Sequence, residues 1–172
     1  MAKLVNWYNF EQKIREKRLL IFSPLDIQRI FGVTKVAATF LVHRYTKKGF
    51  IVRIKRGLYS LLRTLPPELF IANKMYEPSY VSLEFALSYH RIIPETVYEV
   101  TSVTQKATRR FETMGKIFSY HKIKKVAFTG YGIERQGGIG FRIADAEKAF
   151  VDTNYFRFLA HRPPISSFNK EK

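Results

Sequence analysis

Hydrophobic residues in the first part of the chain follow the period of helices before they change to the alternation of strands. Trp7, Phe10 and Ile14 lie at helical spacing and predict an opening amphipathic helix over about residues 3–18. A second helix is predicted to begin at residues 23–26, Ser-Pro-Leu-Asp. The serine can cap this helix, proline suits its first position, and the aspartate favours the positive end of the helix dipole.

A third helix is predicted after a short break at Gly32, which ends the second helix. Thr34 is its predicted N-cap, Lys47-Lys48 its last turn and Gly49 its C-cap. Four apolar positions recur at helical spacing and are predicted to face the core: Ala38, Leu41, Val42 and Tyr45. Two helices separated by a few residues around a glycine are typical of a helix-turn-helix.

Beyond this helix the pattern becomes that of a β-hairpin. Residues 50–55 are rich in β-branched side chains and alternate, Arg56-Gly57 is the predicted turn, and residues 58–62 return as a second strand. A basic hairpin directly after the helix pair has the place of a wing. Residues 1–65 therefore predict a winged helix-turn-helix domain.

The remainder of the chain, residues 66–172, predicts a second, α+β domain of helices and an antiparallel sheet. The linker is predicted at Leu65-Pro66-Pro67, because Pro-Pro continues neither a helix nor a central strand. Helices are predicted over residues 68–75, over residues 79–90 with Ser82 as a cap, and near residues 145–153. Strand candidates are residues 97–104, 108–113, 116–122, 125–129 and 138–143. The tail from about residue 163 is predicted to be exposed.

Composition and charge narrow the function classes. The chain of 172 residues has 30 Lys and Arg against 14 Asp and Glu, a net charge of +16, and 46% hydrophobic residues, which excludes a disordered basic tail. The absence of cysteine excludes disulfides, thiolate metal sites and cysteine nucleophiles. With no signal peptide and no membrane-spanning run, a soluble cytoplasmic protein without a membrane partner is expected.

The positive charge is concentrated in the first 65 residues, where 14 Lys and Arg face three acidic residues for a net charge of +11. Nucleic acid is the first polyanion to consider. Binding to DNA requires cations aimed at phosphates and an element that fits the major groove. The candidate residues are Thr34, Lys35, Thr39, His43, Arg44 and Lys47 on the outer face of the third helix, and Arg53, Lys55 and Arg56 on or beside the hairpin.

Two observations qualify this interpretation. A cationic helix face is often only a solvated face. Val36, Ala37 and Phe40 also occupy positions where a base-reading helix commonly has polar side chains, which predicts little direct hydrogen-bonded readout. Contact between thymine methyl groups and Val36 or Ala37 stays open, as does packing of Phe40 on another element or partner.

Two alternative functions come from other classes. Ten Tyr and 15 Phe could supply stacking platforms of an RNA-binding module, although most of them follow core periodicity. Asp145, Glu147 and Lys148 could form the centre of a Mg²⁺-dependent nuclease, but the same residues fit the capped start of a helix. The glycines over residues 130–140 are interpreted as turns rather than a phosphate loop, and the scattered histidines predict neither a metal site nor a cofactor.

Several motifs, in order, carry a family resemblance over nearly the whole chain. They are Gly32-Val33-Thr34, Gly49, Arg56-Gly57-Leu58-Tyr59, the run Ser-Leu-Glu-Phe-Ala-Leu-Ser-Tyr-His of residues 82–90, Val100-Thr101, and the run Ile-Ala-Asp-Ala-Glu-Lys-Ala-Phe-Val-Asp of residues 143–152. This combination resembles the AbiEi family. The chain departs from it at Arg91, where family members commonly have glycine.

The resemblance implies a bacterial or archaeal transcriptional regulator that serves as the antitoxin of a type IV toxin-antitoxin system related to phage defence. It implies that the N-terminal domain binds operator DNA and represses its own operon. It also implies that the C-terminal domain opposes a nucleotidyltransferase-like toxin without necessarily binding it. The expected protein is not an enzyme and needs no cofactor, and its oligomeric state stays open.

Overall fold

A computed structural model describes residues 5–165 and has an α+β architecture. The chain divides into two compact units, Met1–Pro66 and Pro67–Lys172, with the boundary inside the Pro-Pro pair. Proline there fixes an extended backbone and donates no hydrogen bond, so neither unit can extend a helix across the boundary.

In the first unit, three helices precede a two-stranded antiparallel sheet. The elements are α1 (Trp7–Glu16), α2 (Pro24–Phe31), α3 (Lys35–Lys47), β1 (Ile51–Lys55) and β2 (Leu58–Leu61). Their order and types confirm the elements expected from the sequence. The first helix is shorter than predicted because Asn6 caps it, its Oδ1 accepting from the Asn9 N–H at 2.9 Å, and residues 3 and 4 lie outside the described part.

Local caps set the ends of α2 and α3. Ser23 and Asp26 form the reciprocal capping box: Asp26 N–H donates to Ser23 Oγ at 3.3 Å, and Ser23 N–H donates to Asp26 Oδ2 at 2.8 Å. Gly32 ends α2 with φ of 62°, a conformation that favours glycine. Thr34 caps α3 by accepting from the Ala37 N–H at 3.2 Å. All three signals were predicted from the sequence and are confirmed.

Phe10 lies at the centre of the first unit's core and is fully buried. Its ring is 5.0 Å from Tyr45, 5.4 Å from Phe31 and 6.0 Å from Phe22, measured between centroids. The four positions of α3 predicted to face inward are all buried, as expected. Phe22 also exchanges two backbone hydrogen bonds of 2.9 Å with Tyr59, which ties the helices to β2.

The second unit contains a six-stranded sheet with helices packed on it. Its elements are α4 (Glu68–Met75), β3 (Ser79–Val81), α5 (Leu83–Tyr89), β4 (Val100–Thr104), β5 (Arg109–Thr113), β6 (Lys116–Lys122), β7 (Tyr131–Gln136), β8 (Ile139–Ala144) and α6 (Ala146–Leu159). The strand order is β5-β6-β4-β3-β8-β7. The expected antiparallel sheet is in fact mixed, because β4 pairs with β6 and β3 pairs with β8 in parallel.

Two segments differ from the predicted secondary structure. Residues 79–81 were expected to begin a helix but form the buried central strand β3, and the helix starts only at Leu83. All three residues are buried and pair with β4, and Val81 also pairs with Ile143 of β8. The segment therefore lacks the alternation of apolar and polar residues by which a strand is recognised in sequence. Residues 125–129 were expected to be a strand, whereas Lys125–Ala127 form a 3-10 turn.

The edge strand β7 was not predicted. All six of its residues are exposed, so it lacks the apolar alternation by which strands are recognised. The glycines around it do make turns in part: Gly137 and Gly138, with φ of 58° and 79°, connect β7 to β8. The last helix, α6, continues six residues beyond the predicted end to Leu159, and Pro163 and Pro164 after it are exposed.

A buried polar cluster joins β3 to α6. The carboxylate of Asp152, only 1% exposed, accepts hydrogen bonds of 2.9 Å from Tyr80 Oη and Ser82 Oγ. Lys148 Nζ lies 2.6 Å from Asp152 Oδ1 and also donates to the Ala127 carbonyl at 2.8 Å. Burial, followed by the charge of Asp152, raises the pKa of Tyr80. Ser82 stands at the N-cap of α5 as predicted, but its side chain makes no capping bond.

Substitution of Asp152 by alanine should destabilise the second unit strongly. It leaves two buried hydroxyls without their acceptor and the Lys148 ammonium without its ion pair, at a cost of about 3–5 kcal/mol. Urea unfolding followed by far-ultraviolet circular dichroism measures this. Val151→Ala, an exposed change on the same helix, should cost less than about 0.5 kcal/mol. Equal midpoints for the two variants would contradict the role of Asp152.

Candidate nucleic-acid interface

The buried side of α3 defines which residues point outward. Successive residues rotate by roughly 100° around a helix, so the stripe opposite the buried positions contains Val36, Phe40, His43 and Lys47. All four side chains are exposed, Val36 by 79% and Phe40 by 64%. The outermost part of α3 is therefore apolar in its first half and basic in its second half.

Two threonines and a lysine, predicted as DNA contacts, lie at the start and on one flank of this stripe, and all are exposed: Thr34, Lys35 and Thr39. The Thr39 hydroxyl donates to the Lys35 carbonyl at 2.9 Å. It is therefore free only to accept a hydrogen bond unless it breaks this contact. Thr34 Oγ1 already accepts from the Ala37 N–H and keeps its own proton for donation.

Arg44 does not belong to the outward face to which the sequence assigned it. Its Nη2 donates to the Val5 carbonyl at 2.9 Å, and its guanidinium lies 4.8 Å from the centre of the Tyr45 ring. Tyr45 Oη donates to the same Val5 carbonyl at 2.7 Å. Arg44 is placed on the side of α3 next to the buried Tyr45, and its long side chain can fold back onto that ring. The residue is a structural contact within the first unit.

The hairpin follows α3 directly in the sequence and carries further cations. Gly49, with φ of 73°, turns the backbone from the helix into β1, and the Phe50 N–H bonds to the Tyr45 carbonyl at 3.0 Å. Within β1, Ile51 and Ile54 are buried. These two positions are three apart rather than alternating, because the pairing of β1 with β2 shifts register between Arg53 and Lys55. Of the three predicted hairpin residues, Arg53 and Arg56 are exposed and Lys55 is half-buried.

The stretch of sequence that contains α3 and the hairpin has no acidic residue. Residues 27–67 contain no Asp or Glu. They contain nine basic residues, Arg29, Lys35, Arg44, Lys47, Lys48, Arg53, Lys55, Arg56 and Arg63. Of the acids before them, Asp26 is held in the capping box and Glu11 pairs with Arg15 at 2.8 Å. The stretch that contains α3 and the hairpin therefore carries a strong net positive charge. Glu11 is the acid that approaches it, lining a depression with Lys48 and Arg63.

The residues considered for a nuclease have structural contacts in the second unit. Asp145 caps α6, its Oδ1 accepting from the Lys148 N–H at 2.7 Å. The Lys148 ammonium is bound to Asp152 and to a backbone carbonyl. Within residues 5–165, no three His, Asp or Glu side chains gather as metal ligands would. These contacts explain the motif as a helix start.

A depression of about 390 Å³ in the second unit was not foreseen from the sequence. His121, Glu84 and Phe156 line it together with Arg157 and Arg162. Burial lowers the pKa of His121, against the opposing effect of Glu84 and Glu99. Arg157 Nε donates to the Pro163 carbonyl at 2.6 Å, which occupies part of its guanidinium. No short motif connects these residues along the chain.

Family models and curated proteins identify no relative of the chain. The chain matches none of the protein-family models against which it was scanned, and a search of curated proteins finds no significant match.

In the part of the chain that the structure describes, no helix has both the length and the apolar character needed to cross a membrane.

Replacement of Arg44 should affect folding of the first unit. Arg44→Ala removes a charged hydrogen bond to the Val5 carbonyl and a contact with Tyr45, and we expect a loss of about 2 kcal/mol. Lys47→Ala removes an exposed cation from the same helix and should change stability by less than about 0.5 kcal/mol. Unfolding followed by fluorescence of Trp7, the single tryptophan, reports on this unit. Equal stability of both variants would contradict the inward role of Arg44.

Proposed function

We propose that the chain is a sequence-specific, double-stranded DNA-binding transcriptional regulator, and that its first unit is a winged helix-turn-helix domain. In this proposal α2 and α3 are the helix pair and the β1–β2 hairpin is the wing. The observation that carries it is the acid-free, basic stretch of residues 27–67, which contains both α3 and the hairpin.

The proposed binding mode uses two kinds of contact. The outward stripe of α3 enters the major groove, about 12 Å wide and able to admit a helix. Cations on the hairpin and at the end of α3 contact phosphates, which fix the position of the helix without reading sequence. Thr39 contributes as an acceptor, which suits the amino groups of adenine or cytosine. Arg44 is left out of this contact set because its guanidinium is bound within the unit.

The aromatic residues give less support to an RNA-binding module. Stacking platforms require exposed rings, whereas Phe10, Phe22, Tyr45, Tyr80, Phe118 and Tyr120 are buried. The strongly exposed rings belong to separate segments of the chain, namely Tyr8 on α1, Phe40 on α3, Tyr98 before β4 and Phe158 on α6. Competition between duplex DNA and a structured RNA for the full-length chain decides between the two classes.

Salt dependence is the sharpest test of a phosphate-contacting surface. If six to eight cations reach phosphates, the log of the binding constant should fall against log salt with a slope of roughly −5 to −7. Arg56→Ala should weaken binding to all duplexes alike and reduce the magnitude of that slope by about 1. Fluorescence anisotropy with labelled duplexes at several salt concentrations measures both quantities.

The matched control is Lys124→Ala, which removes the same charge at an exposed position of the second unit. It should leave the slope unchanged. A complex that is insensitive to salt would overturn the proposal. An equal effect of both substitutions would show that the hairpin has no special part in binding.

We further propose that the chain is the antitoxin of a type IV toxin-antitoxin system and represses its own operon. The support for this role is the ordered set of motifs by which the chain resembles the AbiEi family, of which the last, residues 143–152, includes the α6 cap and Asp152. In this proposal the protein is not an enzyme, and its counterpart is a nucleotidyltransferase-like toxin that it need not bind.

Growth measurements separate the antitoxin role from DNA binding. We expect the full-length chain to restore growth of cells that produce a nucleotidyltransferase-like toxin from the adjacent reading frame. Arg56→Ala should lose repression of a reporter driven by the chain's own promoter and still restore growth, because the hairpin belongs to the DNA-contacting unit. Failure of the wild-type chain to restore growth would refute the antitoxin role while leaving the regulator proposal intact.

A further inference from the structure

We infer that Val36 and Phe40 form a specificity-determining apolar stripe that selects duplex DNA through the methyl groups of thymine. This inference rests on the proposed function and adds to it the kind of operator that α3 reads. It concerns the two exposed side chains of α3 that cannot take part in hydrogen-bonded recognition of bases.

The two residues are exposed together on the outermost line of α3. They are four positions apart and therefore neighbours on one helix face. Val36 is 79% and Phe40 64% exposed, while the opposite face packs into the core around Tyr45. Neither side chain can donate or accept a hydrogen bond, so their contribution to a complex comes from apolar contact alone.

The polar side chains around the first two turns of α3 already use part of their hydrogen-bonding capacity within the helix. Thr34 Oγ1 accepts from the Ala37 N–H, and the Thr39 hydroxyl donates to the Lys35 carbonyl. Lys35 is a cation with donors only. The part of α3 that would go deepest into a groove thus offers two apolar side chains and few free hydrogen-bonding groups.

The charge around the stripe indicates what covers it. Lys47 continues the same line and Lys35 lies on its flank, with no acidic residue anywhere in residues 27–67. An apolar protein partner would have to bring its own acids to this surface, whereas a duplex presents phosphates along the groove edges. Within the major groove, the thymine methyl is the apolar group on the base edges. The stripe and its surroundings therefore fit a thymine-containing major groove.

The experiment selects duplexes from a pool with a randomised core, using the full-length wild-type chain and Phe40→Ala. Wild type should enrich thymine at one or two positions. Replacement of thymine by uracil there, which deletes only the methyl group, should weaken binding about fourfold for each methyl group buried. For Phe40→Ala, the thymine and uracil duplexes should bind more nearly alike. Tyr8→Ala removes an aromatic ring that is 76% exposed on α1 and should keep the wild-type discrimination.

The outcomes distinguish this inference from the function on which it rests. If no duplex is bound with salt-dependent affinity, the proposed function fails. If duplexes are bound but thymine and uracil are equivalent, the methyl-reading inference is wrong and the regulator proposal stands. Sedimentation of wild type and Phe40→Ala completes the test: a change of oligomeric state with unchanged base preference would identify the stripe as a contact between copies of the chain and overturn the inference.

Discussion

The packing of α3 on Phe10 is the contact on which the rest of the candidate interface depends. The Phe10 and Tyr45 rings meet at 5.0 Å, and Tyr45 Oη anchors the segment before α1 through the Val5 carbonyl. Because one face of α3 is fixed in this core, its opposite face is fixed as well. The cations and the apolar stripe on that face therefore keep one orientation without any bond to one another.

Charge in the first unit has a cost that the core must offset. A positive stretch without acids repels itself in the folded state, so the net charge of +11 in residues 1–65 does not serve stability. Two of the three acids there make local contacts, Asp26 in its capping box and Glu11 with Arg15. Under the proposed function, the phosphates of a duplex would balance this charge, and the duplex would release condensed counterions on binding.

Features set by neighbouring residues could be predicted from the sequence, and features set by distant contacts could not. Ser23, Thr34 and Gly32 act within one helical turn, so their residue types alone located the ends of α2 and α3. The strand β3 is defined by pairing with β4 and β8, which no local pattern reveals. Within the candidate interface, helical spacing placed the exposed residues correctly but could not show that Arg44 has the Val5 carbonyl, 39 positions away, as its acceptor.

Affinity and specificity are separated along α3 in this proposal. Its last turn and the hairpin carry cations, whose interaction with phosphates is strong, long-ranged and the same for every sequence. Its first two turns carry Val36 and Phe40, whose apolar contacts are weak and short-ranged but distinguish thymine from the other bases. With the Thr39 proton held by the Lys35 carbonyl, hydrogen-bonded readout from these turns is limited. In this proposal, discrimination between base sequences by α3 comes mainly from contact between its apolar side chains and thymine methyl groups. The phosphate contacts of the hairpin hold the helix close enough to the bases for these short-ranged contacts to form.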